Sequence, residues 1–386
     1  MKIAVVVPRY GIEVVGGAES QARGFAEAAV RQGWKVEVWT TCAHSHYTWK
    51  NAYPAGVEKH KGVVIRRFPI TSWHPDLQAE LNNRLTQQGR LSLVEQYTWL
   101  RSGAHSIPLY QHVLRYANNF DVIVALPYTA PLVHYAAWIV PDKVVIFPCL
   151  HDEPYAYMEL VHLLMESIWG CMFFSPEEKY LAIQRLKIHC VHLGLLGGGL
   201  NCDFTTPQSV DCDPTQLLYV GRLEEGKNLA FLYNCVQRYV KEGGNIRLTI
   251  LGAGPFRPLE QPFFENMGFV SEKEKMETFA SALALCQPSL NESFSITIME
   301  SWLAGRPVLV HGDCAVTRGH VRRSQGGLWF QTYEEFVQVV EWLRDYPLLA
   351  SRMGQNGRQY VRDNYTWEVV IKRFERMVQQ WGNENG

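Results

Sequence analysis

Two cationic residues, Arg222 and Lys227, stand in the segment VGRLEEGKN at the end of a short apolar run, LLYV. Side chains at that position project from the end of a strand, the edge at which α/β sheets bind ligands. A guanidinium and an ammonium there can stabilise the charge that develops on a phosphate leaving group, without a metal; pairing with Glu224 or Glu225 is the simpler use of the same residues. The segment also matches GxxxxGK through Gly221, Gly226 and Lys227. Asn228 replaces the Ser or Thr that would hold Mg²⁺, and Glu224 and Glu225 would repel a phosphate, which argues against a P-loop NTPase.

Two further clusters have chemical potential. In VVGGAES, Gly16 and Gly17 lead into a helix starting near Ala18, where free backbone N–H groups and the helix dipole can bind an anion. An ordinary strand-to-helix turn would use the same glycines. In NESFSITIMESWLAGRPVLV, Glu292 and Glu300 lie eight residues apart. Polar Asn291, Glu292, Ser293 and Ser295 precede apolar Ile296, Ile298, Met299, Trp302 and Leu303, so the pattern predicts Glu292 in a loop and Glu300 on a helix. The pair Gly252 and Gly254 in LGAGP lacks a third glycine and is followed by proline, which argues against a dinucleotide oxidoreductase. Asp211 and Asp213 spell DxD, and His44 and His46 spell HxH. The first lies before a strand rather than after one and the second has no third ligand at useful spacing, so no metal site is expected.

Positioning these groups requires a parallel sheet. The runs KIAVVVP, KVEVWTT, GVVIRRF, DVIVALP, KVVIFPCL and CMFFSP alternate with helical patterns in the first half, and LLYVGRL, RLTILGAG, ENMGFV, LALCQPS, PVLVHG and GLWF follow in the second. Between them LLGGGLNCDFTTPQSVDCDPTQ reads as a linker. Two Rossmann-like domains are expected, 1–203 and 204–365, followed by a helix over 366–386 whose Trp367, Val370, Ile371, Phe374, Met377, Val378 and Trp381 form one stripe. The stretch from Ser72 to His112 lacks strand patterns and reads as an acceptor-recognition insert or as a helical excursion with solvated faces.

Composition narrows the classes. The 386 residues include 37 Lys plus Arg against 38 Asp plus Glu, a net charge of −1 that gives no global reason to bind nucleic acid. Hydrophobic residues at 47% and 12 Trp suit packed domains. Nine cysteines without CxxC spacing read mostly as buried thiols of a reducing compartment. The first apolar run is too short for a signal peptide, so a cytoplasmic location is expected. Val122 to Pro141 is 20 residues without charge; Pro127, Pro131 and His134 within it favour a buried strand, a turn and a short helix over a membrane span.

The order GGAES, LHDEP, VGRLEEGKN, LGAGP, GFVS, ESFSITIMESWLAGRPVL resembles retaining glycosyltransferases of the GT-B fold, family 4. The resemblance covers nearly the whole chain, and its most specific part is E-x7-E, Glu292 to Glu300. It implies two Rossmann-like domains facing a central cleft, with the C-terminal helix packing back across the domains. It implies transfer of a sugar from a nucleotide-sugar, with UDP-glucose or a relative preferred, to a hydroxyl of a glycan or lipid-linked acceptor in polysaccharide biosynthesis. No cofactor or metal is implied. By the same resemblance Glu300 bonds the donor ribose, Arg222 and Lys227 neutralise the diphosphate, and the backbone of Phe294, Ser295 and Ile296 meets phosphate and sugar. Glu292 meets a sugar hydroxyl, Val270 lies beside the nucleobase, the Gly16–Gly17 loop approaches the diphosphate or acceptor, and His151 contacts the donor sugar near the reacting carbon. A strand-end histidine beside a helix cap, Asp152 before Pro154, is the other reading of His151. Peripheral contact with the inner face of the cytoplasmic membrane fits such an acceptor, whereas the oligomeric state is not legible.

The chain departs from the family pattern in two places. Ser293, Ser295 and Thr297 stand where many relatives have glycines and a proline, which bears on donor identity. CAVTRGHVRR replaces the usual acidic helix start after the next strand, and its Arg318, Arg322 and Arg323 meet either an anionic substrate or solvent. A nucleotide-sugar-binding protein with weak catalysis and a sugar phosphorylase are the competing readings.

Overall fold

A computed structural model describes residues 1–14, 16–202, 211–257 and 261–384. The chain divides into two units, Met1–Gly199 with Trp367–Gly386, and Leu200–Thr366. The domain boundary read at 203/204 lies outside the described residues.

The first unit is built on eight strands: β1 (Lys2–Val6), β2 (Lys35–Thr41), β3 (Gly56–His60), β4 (Val63–Phe68), β5 (Val122–Ala125), β6 (Val144–Ile146), β7 (Gly170–Phe173) and β8 (His192–Leu195). Their order is β3-β4-β2-β1-β5-β6-β7-β8, parallel except for the β3–β4 hairpin. The central strands are buried along their length because helices cover both faces, which is why they read as unbroken apolar runs. β3 and β8 escaped the sequence reading. β3, GVEKH, is an almost wholly exposed edge without apolar alternation, and β8, HLGL, is the opposite edge, only partly buried and interrupted by a glycine.

Ser72 to His112 forms helices Pro75–Gln88, Leu93–Ser102 and the start of Ile107–Tyr116. The middle one begins in a capping box between Ser92 and Glu95. Leu81, Leu85, Trp99, Leu100 and Leu109 join Trp39 and Phe120 in the main core, while most of Pro75–Gln88 is exposed, so the segment is a helical excursion that docks one face and leaves the other solvated. The uncharged stretch from Val122 resolves into β5, a cis Leu126–Pro127 bond and helix Pro131–Ile139. Among the described residues no helix is long and apolar enough to cross a membrane.

The C-terminal helix, Trp367–Glu384, packs within this first unit and buries Trp367, Val370, Ile371, Phe374, Val378 and Trp381. Phe374 meets Phe25 and Phe147 edge-on at centroid distances of 5.0 and 6.1 Å. Glycines make the close approach feasible. A Cβ on Gly24 or Gly199 would lie 2.1 or 2.2 Å from the Trp367 ring, and one on Gly170 would lie 2.5 Å from Trp381.

The second unit has six parallel strands: β9 (Asp213–Val220), β10 (Arg247–Leu251), β11 (Phe264–Gly268), β12 (Ala282–Gln287), β13 (Val308–His311) and β14 (Gly327–Phe330). The order β11-β10-β9-β12-β13-β14 is doubly wound, with β9 and β12 adjacent at the reversal. Ligands of such sheets bind outside the carboxyl ends of the strands at that reversal. All nine cysteines are free thiols, five buried, three half-buried and Cys212 exposed.

Candidate donor-site loops and their supports

In the second unit the loops after β9, β10 and β11 are stacked by backbone hydrogen bonds. Gly221 donates to the Leu251 carbonyl at 3.0 Å, Leu223 to Ala253 at 3.0 Å and Gly252 to Gly268 at 2.8 Å. A Cβ on Gly252 would lie 2.0 Å from the Gly221 oxygen, and one on Gly254 would lie 2.4 Å from the Leu223 oxygen. The glycines of LGAGP therefore let one loop back the other. The Tyr219 hydroxyl donates to the Arg222 carbonyl at 2.8 Å and completes the support.

Arg222 extends from this loop with its side chain 46% exposed, and its guanidinium pairs with Glu224 at 2.9 Å. Lys227 closes the following 3₁₀ turn, Glu225–Lys227, and turns inward: its ammonium lies 2.7 Å from Glu292 Oε1, with the two side chains 20% and 10% exposed. Asn228, in the left-handed region at φ 53°, donates to the Pro288 carbonyl at 3.2 Å. The cationic loop after β9 is thus tied to the loop after β12.

That second loop ends at Ser295, which takes a left-handed φ of 67° immediately before helix Ile296–Leu303. Outside the favoured basins a serine costs energy that its surroundings must offset. Phe294 supplies an anchor, buried edge-on against His320 at 5.4 Å and Tyr365 at 5.0 Å. Ser295 Oγ is buried without a hydrogen-bond partner, a costly state for a hydroxyl beside the unsatisfied N–H groups of a helix start. Glu292 lies in the loop and Glu300 on the helix, whose Trp302 indole donates to the Gly326 carbonyl at 2.7 Å.

Glu300 pairs with Lys275 at 2.9 Å. Burial raises the Glu300 carboxyl above its ordinary range and Lys275 pulls it back; burial also opposes the Lys275 charge, but Glu300 and Glu272 outweigh it and raise that ammonium. Lys275 sits on helix Glu272–Ser281, capped by Ser271, and half-buried Val270 lies just before that cap.

His151, Gly16 and Gly17 belong to the first unit. Gly16 precedes helix Gly17–Arg31, and a Cβ there would lie 2.1 Å from a Glu19 carboxylate oxygen, so an acid already flanks this helix start; Glu19 pairs with Arg9 at 2.5 Å. Gly17 has open space around it. His151 follows β6 with Nδ1 3.7 Å from Glu153, which accepts from the Tyr128 hydroxyl at 2.8 Å. The short 3₁₀ helix Pro154–Tyr157 begins after Glu153 and has no side-chain cap, so Asp152 is not its cap; Asp152 instead pairs with Arg185 and accepts from Tyr157.

Sequence reasoning overlooked Glu178, the residue that fixes the His151 loop. Its carboxylate accepts from Leu150 N–H at 2.6 Å and Phe174 N–H at 2.5 Å, which ties the loop after β6 to the end of β7 and stabilises left-handed Cys149. Burial pushes this carboxyl up to about 8, although the N–H groups of Leu150, Phe174 and Ser175 oppose the shift. The available signal was SPEE, a serine cap with glutamate three residues on. Lys275 was also overlooked, since an acidic-basic helix start such as SEKEK ordinarily reads as solvated.

The remaining candidates serve local structure. Asp213 opens β9, accepts from Thr215 N–H at 2.8 Å and pairs with Arg247 at 2.9 Å. Among the described residues no group of three or more His, Cys, Asp or Glu is placed to hold a metal. Arg318 is half-buried, Arg322 and Arg323 are exposed, and Arg323 donates to the Tyr360 hydroxyl at 3.2 Å.

Residues 214–345 match the family model "Glycosyl transferases group 1". Over 96% of both chains, the sequence is 23% identical to an uncharacterized glycosyltransferase of Methanocaldococcus jannaschii. The second unit thus carries the sequence pattern of the group 1 glycosyltransferases, and the likeness to a glycosyltransferase extends over nearly the whole chain. The fold is that of the GT-B proteins. It is similar to sucrose-phosphate synthase from Thermosynechococcus elongatus, with a TM-score of 0.73 at 16% identity over 99% of both chains. It is also similar to Anabaena HepE in complex with UDP and glucose, with a TM-score of 0.71 at 14% identity over 98% of this chain and 100% of that one.

Proposed function

We propose that this protein is a group 1 glycosyltransferase that moves a hexose from a UDP-sugar, UDP-glucose or a close relative, to a hydroxyl of a glycan or lipid-linked acceptor, with retention at the anomeric carbon and without a metal. The observation that carries the reading is the Lys227–Glu292 contact of 2.7 Å, which joins a phosphate-competent cation to the loop bearing E-x7-E. The UDP and glucose held by HepE, a protein of the same fold, support the choice of donor.

Transfer requires that charge developing on the departing diphosphate be stabilised. Arg222 and Lys227 supply charge-assisted hydrogen bonds of about 1.5–3 kcal/mol each. The helix start at Ser295–Ile296 adds about 0.3–1 kcal/mol, with the Ser295 hydroxyl as a further donor. Glu300 accepts from the ribose, Glu292 from a sugar hydroxyl, and Val270 flanks the base. In the first unit His151 contacts the sugar near the reacting carbon and the Gly16–Gly17 turn the diphosphate or acceptor. The acceptor hydroxyl attacks from the face the diphosphate leaves, and the leaving phosphate takes its proton. A cytoplasmic enzyme with peripheral membrane contact is consistent with a lipid-linked acceptor.

Transfer and hydrolysis assays with UDP-, GDP- and ADP-sugars, each with and without EDTA, test the proposal. Turnover of a UDP-hexose that persists in EDTA, with a product of unchanged anomeric configuration by NMR, is expected. Dependence on ATP or inorganic phosphate, an inverted product, or loss of activity in EDTA would overturn it.

A further inference from the structure

One lysine near the E-x7-E helix has no place in the mechanism above. Lys275 lies on helix Glu272–Ser281 next to core residue Met276, and its side chain is only 16% exposed. Lysines are rarely so buried unless paired. Its ammonium is 2.9 Å from Glu272 and 2.9 Å from Glu300 Oε1. The two carboxylates differ in weight: Glu272 is 71% exposed and contributes little, whereas Glu300 is 15% exposed.

A vicinal diol is bound most strongly by a carboxylate that is ionised and held at a fixed angle, because both hydroxyls donate to it. Burial works against ionisation, and a carboxyl on a free rotor loses the angle. A lysine on Oε1 counters both and leaves Oε2 to the diol. Resting on the reading of Glu300 as the ribose contact, we propose that Lys275 is a specificity-determining residue of the donor site: by gripping Glu300 Oε1 it sets the carboxylate to select a ribose diol over a nucleotide without one.

Calorimetric titration of the full chain with UDP and with 2′,3′-dideoxyuridine diphosphate tests this in wild type, K275M, E300Q and the double variant. The wild type should prefer UDP by about tenfold or more, the range charge-assisted contacts imply. K275M and E300Q should each lose most of that preference while the dideoxy analogue binds within about twofold of wild type in each. The double variant should lose no more than either single one, and K275R should retain the preference. If K275M does not fold, K275Q takes its place with the same expected loss. Retained preference in K275M, or its K275Q substitute, alongside a loss in E300Q would overturn the role of Lys275 and leave the donor site standing. Retained preference in E300Q, or no binding of UDP to wild type, would overturn the donor-site reading itself.

Discussion

Replacing Arg222 with alanine separates function from folding. Its guanidinium pairs with Glu224 at 2.9 Å, and the two side chains are 46% and 25% exposed. A pair so open to water contributes about 0–1 kcal/mol to stability. For a unit of this size that corresponds to a fall in melting temperature of no more than about 4 °C. Turnover should respond differently. Loss of one charge-assisted hydrogen bond to a departing diphosphate costs about 1.5–3 kcal/mol, and at about 1.4 kcal/mol per decade kcat/KM should fall roughly 10- to 150-fold. Arg222→Lys, which keeps the charge but loses the planar fork, should fall between wild type and alanine. UDP release at sub-saturating donor, measured beside thermal melting on the same preparation, gives both numbers. Turnover within twofold of wild type at an unchanged melting temperature would remove Arg222 from the mechanism.

Gly254→Ala would drive a Cβ to 2.4 Å from the Leu223 carbonyl oxygen, so the Arg222 loop must move; donor turnover should fall at least tenfold, the scale of about 1.4 kcal/mol, and wild-type turnover would refute the backing role. Phe374→Ala removes a fully buried ring from the cluster with Phe25 and Phe147 and should destabilise the first unit by about 3–5 kcal/mol in urea unfolding. Glu178 has its carboxyl raised from 4.5 to about 8 in the folded state, so the native protein binds the extra proton and this residue's contribution is present below pH 4.5 and declines as pH rises toward 8. Unfolding measured across that window should show the decline in wild type and its loss in Glu178→Gln; identical slopes would show that Glu178 does not titrate there.

Much of this architecture was legible because the central strands of both sheets are buried on two faces and announce themselves as apolar runs. The exposed β3 and the partly buried edge strand β8 carry no such signal. The same contrast governs the candidate site. Arg222, Lys227, Glu292 and Glu300 are chemically conspicuous in the chain, and the loop and helix positions of the two glutamates followed from the polar-to-apolar switch at Ser295–Ile296. What the sequence did not convey is partnership across elements. The spacing of Lys227 and Glu292, 65 residues apart, says nothing of their contact, which exists because β9 and β12 are neighbours at the reversal of strand order. Glu178 and Lys275 were hidden for a related reason, since each reads as a surface helix residue until the element that buries it is known.

Three carboxylate-paired cations of the second unit, Arg222, Lys227 and Lys275, suggest an order of events on the proposed reading. Arg222–Glu224 is open to water and the least costly pair to exchange, so it is the one that meets an arriving diphosphate first. Lys227–Glu292 is more enclosed, with its side chains only 20% and 10% exposed, so it exchanges less readily than the Arg222 pair and yields when another anion takes the ammonium. When Lys227 turns to phosphate, Glu292 regains an oxygen that can accept from a sugar hydroxyl, so phosphate capture and sugar recognition become one coupled step. Lys275–Glu300 has no phosphate to answer and stays closed, with the ribose adding to it rather than competing. A free nucleoside diphosphate would therefore open the Lys227 pair yet leave Glu292 without its hydroxyl, whereas the intact sugar nucleotide satisfies both. That difference favours the donor over its own leaving group, the direction a transferase needs if product is to depart.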